Sequence, residues 1–183
     1  RASMDAYSTA GAAGSYIYWA KQVSTEIMDV AAVSPTPGVV KLYVLMDGGT
    51  LADEEMKAKV LEACSADERR PLTDWVLVED AEAVPYDIAF TYYTQTDAGI
   101  SAADLEAAVQ KAVEEYTAWQ CGKLGRDINP DELRKYLYRT GIKRIELTAP
   151  AFTELRDGSG KTVPQIAALR GTPPVINGGY ENE

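Results

Sequence analysis

The chain has 183 residues, 46% of them hydrophobic, which is enough for one ordinary domain or two small ones, each with a core. Its 18 Lys and Arg stand against 28 Asp and Glu, and the resulting formal charge of −10 repels phosphate backbones and anionic lipid surfaces, so neither nucleic acid nor a membrane is expected as a partner. The absence of histidine removes the usual general base near neutral pH, the usual partner of a Ser or Cys nucleophile and the commonest metal ligand, and with them most hydrolase and zinc-enzyme readings.

In chain order, the opening RASMDAYSTA lacks the apolar middle of a signal peptide. No stretch reaches the roughly 20 apolar residues that cross a bilayer. The chain reads as cytosolic when made, and a start at Arg1 rather than Met reads as a piece or a processed product of a longer chain. Ser15 is placed to cap a short helix that sets Tyr16, Trp19 and Ala20 on one apolar face. Residues 26–33 have strand-like spacing, Pro35, Pro37 and Gly38 punctuate, and 39–46 is apolar on nearly both faces, as in the central strand of a sheet. After Gly48 and Gly49, residues 53–64 read as an amphipathic helix with an acidic first turn, built on Met56, Val60, Leu61 and Cys64. A short strand is expected at 75–78.

Tyr86, Ile88, Phe90 and Tyr92 then alternate with Asp87, Ala89, Thr91 and Tyr93, the pattern of a strand with one buried face. Ser101 and Asp104 fit a capping box that opens the clearest helix, whose buried face runs through Leu105, Val109, Ala112, Val113, Tyr116 and Trp119. A loop at 122–129 leads to Pro130 at a first helical position, a short helix over 131–139 stopped by Gly141, and a strand at 142–148. Residues 152–155 and 162–169 read as a hairpin around Asp157-Gly158-Ser159-Gly160, with Pro164 holding the second strand to an edge; the ending from Gly171 reads as an edge extension and an acidic tail. The expected fold is α+β, two small helix-backed β-sheet domains in tandem over 1–82 and 83–183, with a mobile joint near 81–83 and a single continuous domain as the alternative.

Chemistry has few candidates. The adjacent pairs Glu54-Glu55, Glu79-Asp80 and Glu114-Glu115 point apart on a helix or strand rather than at one substrate. Residues 157–161 lack phosphate-loop spacing, and the acids around Pro130 lack calcium-loop spacing and suit helix capping. Cys64 and Cys121 form neither a metal motif nor a disulfide framework and read as reduced, partly buried thiols. No catalytic, cofactor or metal residue is assigned. Arg69 and Arg70, before a rigid Pro71 corner, suit clamping a carboxylate on a neighbouring chain and, equally, pairing with the chain's own abundant acids. Tyrosine is plentiful, 11 against 2 Phe, and suits surfaces that are wet before assembly and buried after it; Tyr93, Tyr136 and Tyr138 are the interface candidates, while Tyr86 and Tyr92 read as core.

Several segments in fixed order resemble one family: Gly14-Ser15-Tyr16-x-x-Trp19-Ala20, Ser34-Pro35-x-Pro37-Gly38, Asp47-Gly48-Gly49, Arg70-Pro71-Leu72-Thr73-Asp74, Val84-Pro85-Tyr86-Asp87-Ile88 and Gly125-Arg126-Asp127-Ile128. Together with the ending Gly178-Gly179-Tyr180-Glu181, they are similar to the central and C-terminal parts of the baseplate J-like proteins of contractile-tailed bacteriophages. The resemblance implies a structural wedge component of a phage or prophage baseplate, assembled in the bacterial cytoplasm into a ring around a central hub. It implies no catalysis and no cofactor, and partners that are other wedge proteins and further copies of the chain. A small-molecule-binding or enzymatic α+β domain and a generic adaptor domain are the alternatives.

Overall fold

The computed structural model describes residues 13–66, 74–95, 99–171 and 174–181. The chain is α+β and divides into two compact units. One comprises Arg1–Ala83, Cys121–Arg126 and Leu155–Ile166; the other comprises Val84–Gln120, Asp127–Glu154 and Ala167–Glu183.

In the first unit, α1 (Ala13–Lys21) is followed by β1 (Ile27–Val33), β2 (Val39–Met46), α2 (Glu54–Ser65) and β3 (Trp75–Glu79). The sheet order is β1-β2-β3. The Pro/Gly turn at 34–38 folds β1 back antiparallel on β2, whereas β3 runs parallel to β2 and therefore needs a crossover, which α2 supplies. Asp53 caps α2 by accepting a hydrogen bond from the Met56 amide at 2.8 Å, and Glu54 and Glu55 sit favourably in its first turn.

Both faces of β2 are covered, which accounts for its continuous apolar sequence. Val40, Leu42 and Val44 join Tyr16, Ala20, Val60 and Cys64 in one buried cluster beneath the helices. Tyr43 and Leu45, one position out of phase, join Val33, Ala81, Leu124 and Ile166 in a second. Full burial of each such aliphatic side chain contributes about 1.5–3 kcal/mol. Leu124 and Ile166 come from the two short segments the chain returns to this unit. Gly125 lets one of these segments approach the other: its φ is +65°, and a Cβ there would lie 2.3 Å from the Asp157 Cα.

In the second unit the sheet order is β6-β5-β8, with β5 (Ala89–Thr94) in the centre, β6 (Arg144–Ala149) antiparallel to it and β8 (Val175–Tyr180) parallel. β4 (Glu82–Tyr86) pairs with β7 (Gln165–Leu169) in a separate two-stranded sheet. α3 (Ala102–Cys121) buries Leu105, Val109, Ala112, Val113 and Tyr116. At its start the Ser101 Oγ accepts from the Asp104 amide at 3.1 Å and donates to the Asp104 carboxylate at 2.6 Å, so the capping box forms. α4 (Pro130–Tyr138) is capped by Asn129, which accepts from the Asp131 amide at 2.9 Å, and anchors itself through fully buried Leu133 and Leu137.

Four readings of the sequence change. α1 begins at Ala13, so Ser15 is a buried residue of its first turn and not its cap. The expected strand through Tyr86 and Tyr92 is interrupted at Asp87 and Ile88 and becomes β4 and β5, although Tyr86, Ile88, Phe90 and Tyr92 are all buried as the alternation predicts. The last turn of α3 buries Gln120 in place of Trp119, because the Gln120 amide has partners inside: it accepts from the Tyr116 hydroxyl at 3.2 Å and donates to the Asp127 carbonyl at 3.1 Å. The hairpin over 152–169 is not formed. Thr153 bridges Ile128 and β7 pairs with β4, while across the Gly158 turn the Gln165 amide donates to the Arg156 carbonyl at 2.7 Å without a ladder forming.

Candidate interaction surfaces

Among the described residues no three His, Cys, Asp or Glu side chains gather where a metal ion could be held, and no helix is long and apolar enough to cross a membrane. The glycine-rich 157–161 segment is a closed turn in which the Asp157 carboxylate accepts from the Ser159 amide at 2.8 Å. Hydrogen bonding from Ser159 holds that carboxyl below the usual aspartate range. Ser159–Lys161 within it form a short 3-10 turn rather than the start of an α-helix. The buried Cys64 belongs to the first core cluster, and burial pushes the partly covered Cys121 thiol up, away from the reactive thiolate.

Arg69 and Arg70 lie outside the described residues. Tyr93 projects from β5 on the face opposite Tyr92. The Arg144 guanidinium, on the neighbouring β6, lies 4.1 Å from its ring centroid, and its hydroxyl donates to Glu146 at 3.2 Å. Arg144 also donates to Glu146 at 2.6 Å and grips Glu181, just beyond β8, with its Nε at 3.0 Å and a second guanidinium nitrogen at 3.2 Å. One arginine thus stitches all three strands together across the sheet. It holds both Glu146 and Glu181 below the ordinary glutamate range, and they in turn raise its own pKa. The groups are 38–57% exposed, so the network works in water and adds little per pair.

Tyr136 and Tyr138 share α4, but their surroundings differ. Tyr136 is half-buried, packed edge-on against Tyr116 at 6.3 Å with the Arg139 guanidinium 5.0 Å from its ring centroid. Tyr116 also contacts Trp119 and Tyr86, so a chain of rings runs from the core to the surface at Tyr136 and Trp119. Burial drives the Tyr116 hydroxyl far above the usual tyrosine range, which keeps it neutral. Tyr138 is 48% exposed. The structure therefore places Tyr136 and Tyr138 on α4 and Arg139 at its C-cap, with Arg139 beside Tyr136 and Tyr138 turned to another side of the helix; aromatics and arginine are the residue types that dominate binding energy at protein interfaces. Tyr93 belongs to the strand network and not to this helix. Sequence reasoning missed Arg139, Arg144, Glu146 and Glu181. The alternating Arg144-x-Glu146 of an exposed strand face was the available signal for two of them.

Comparison with known proteins extends over most of the chain. Residues 8–80 match the family model of the Baseplate J-like central domain, and residues 86–159 that of the Baseplate J-like protein C-terminal domain. Baseplate protein J of Escherichia phage P2 is 32% identical over 149 residues, which is 81% of this chain. The chain spans about half, 48%, of that protein's length. The fold resembles a chain in the six-fold symmetrised cryo-EM structure of the anti-feeding prophage baseplate, with a TM-score of 0.53 at 14% identity over 84% of this chain and 36% of that one. With both domain models matched in order over 8–80 and 86–159, the chain belongs to the baseplate J-like family.

Proposed function

We propose that this chain is a structural component of a contractile-tail baseplate, acting through protein–protein contacts as part of the wedge ring around the central hub. The observation that carries the reading is the ordered match of both baseplate J-like domains, reinforced by 32% identity to a protein named Baseplate protein J. The reading assigns no catalysis. Its partners are other wedge proteins and further copies of the chain, and its place is the tail baseplate, assembled in the bacterial cytoplasm.

The aromatic and arginine residues of α4 support it. Tyr138 and Tyr136 offer apolar area at low conformational cost, and Arg139 offers a donor fork. We assign the partner interface to Tyr136 and Tyr138, with Tyr93, Arg69 and Arg70 as further contact residues. The reading takes 1–82 as the central and 83–183 as the C-terminal baseplate J-like region.

Co-expression of the full-length parent with the proteins encoded beside it, followed by size exclusion and light scattering, tests the reading. A stable heteromer with more than one copy of this chain is expected, weakened by Tyr138→Ala. A monomer indifferent to those neighbours overturns it.

A further inference from the structure

Among the described residues, no strand pairs with the outer edge of β8. The Val175 amide donates to the Ile88 carbonyl and the Glu181 amide to the Thr94 carbonyl, both at 2.9 Å, so residues 175, 177, 179 and 181 turn their backbone groups toward β5. Backbone polar groups alternate along a strand, so Ile176, Gly178 and Tyr180 turn theirs away from it. β8 is the last strand of its sheet, and among the described residues nothing pairs with that side.

A groove of about 270 Å³ lies beside this edge, between β8 and α3. Ile176 and Tyr180 form one wall, Leu105 and Ala102 the other, and the Tyr92 ring contributes to its lining. The helix thus stands over the sheet edge as if one more strand belonged beneath it. Gly178 and Gly179 fit this geometry. A Cβ on Gly178 would lie 2.7 Å from the Tyr92 hydroxyl, and one on Gly179 would lie 3.2 Å from the Tyr93 ring, so the two tyrosines flank the bare edge on opposite faces. Exposed β edges in monomers are normally blunted by charge, proline or a bulge. This one instead displays Val175 at 58% and Tyr180 at 61% exposure.

Charge identifies the occupant. Glu106, an exposed residue of α3, lines the same groove beside Tyr92, whose hydroxyl is pushed up by burial first and by the Glu106 carboxylate second, and among the described residues no cation is paired with it. We propose that the β8 edge is a strand-acceptor site, which binds an extended segment of a partner protein by β-augmentation. The segment turns an apolar residue and a Lys or Arg, two positions apart, toward α3. The backbone of Ile176, Gly178 and Tyr180 supplies the ladder, the groove takes the apolar side chain, and Glu106 meets the cation. The inference deepens the assembly reading and rests on it only for the source of the strand.

The test titrates the full chain, ¹⁵N-labelled, with the blocked peptide Thr-Val-Thr-Lys-Thr-Val-Thr, whose Val and Lys residues share one face. The amide signals of Ile176, Gly178 and Tyr180 should shift and gain exchange protection. A peptide with Pro at the central position should not bind, and Glu106→Lys should transfer the preference to a peptide carrying Glu there, by about fivefold in Kd, the scale of one exposed ion pair. Unchanged β8 amides at millimolar peptide, equal binding of the Pro peptide, an unchanged charge preference in Glu106→Lys, or pairing of β8 with a second copy of the chain in the absence of peptide each overturn the proposal. The titration needs no other baseplate protein, so its failure leaves the assembly reading standing, and a failed co-assembly leaves the groove standing.

Discussion

The two sheets solve the same problem differently. The sheet of the first unit is buried on both faces, with α1 and α2 on one and Leu124, Ile166 and Ala81 on the other. The sheet of the second unit buries one face, and its other face carries the half-exposed Tyr93, Arg144, Glu146 and Glu181 network. The difference is written in β2 and β5: Val-Val-Lys-Leu-Tyr-Val-Leu-Met has nearly no polar phase, whereas Ala-Phe-Thr-Tyr-Tyr-Thr alternates. A strand buried twice is held by packing, and a strand buried once leaves a surface free for polar stitching and for partners.

Substitutions can break this contrast, beginning with the largest expected effect. Gly125→Ala forces a side chain into a left-handed position against the Asp157 backbone. It should cost roughly 3–5 kcal/mol in urea unfolding, because neither backbone can yield cheaply. Leu45→Ala, fully buried on the second face of β2, should cost about 3 kcal/mol, whereas Tyr93→Ala, on the open face of β5, should cost at most about 1 kcal/mol and mainly raise amide exchange in β8. Equal losses at the two positions would erase the distinction between the sheets. Asn129→Ala should cost about 1 kcal/mol through loss of the α4 cap, and the loosening should be read at Tyr136 rather than in the first unit.

The smallest effect is expected from pH. Glu146 and Glu181 are held below their ordinary values by Arg144, so their contribution is present in full above the ordinary glutamate range and is lost as pH falls from that range through their depressed folded values. Exchange protection at the end of β8 should therefore persist at about pH 5 and fall below about pH 4. Arg144→Gln should lower protection there at about pH 5 and flatten its pH dependence, because the glutamates are then no longer held below their ordinary values. Protection in β2 should not follow it over the same range.

Much of this was legible in the sequence, because local patterns carry it. The helices at 54–65 and 102–121, the Ser101 capping box, the central position of β2 and the buried set Tyr86, Ile88, Phe90 and Tyr92 follow from periodicity and capping chemistry, whereas Asp53 proves to be the cap of its helix rather than its first residue. What covers the second face of β2 was not legible. Leu124 and Ile166 arrive from segments about 80 and 120 residues downstream, and apolar periodicity says that a face is buried but not by what. The failed hairpin over 152–169 has the same cause: the turn chemistry around Gly158 is present, but long-range pairing of β7 with β4 prevails over local pairing. Of the candidate interface residues, Tyr138 was the most readable, because it follows buried Leu137 directly on a helix whose inward positions are plain. The cross-strand arginine network depends on register, which one strand's sequence does not specify.

The central claim, that this chain is a built-in part of a contractile-tail baseplate, is tested most directly by quantitative mass spectrometry of intact tail particles purified from the host that encodes it. Peptides from both units should be present at a fixed whole-number ratio to other baseplate proteins, and deletion of the gene should yield particles without baseplates. Intact, baseplate-bearing tails that lack the chain would contradict the account.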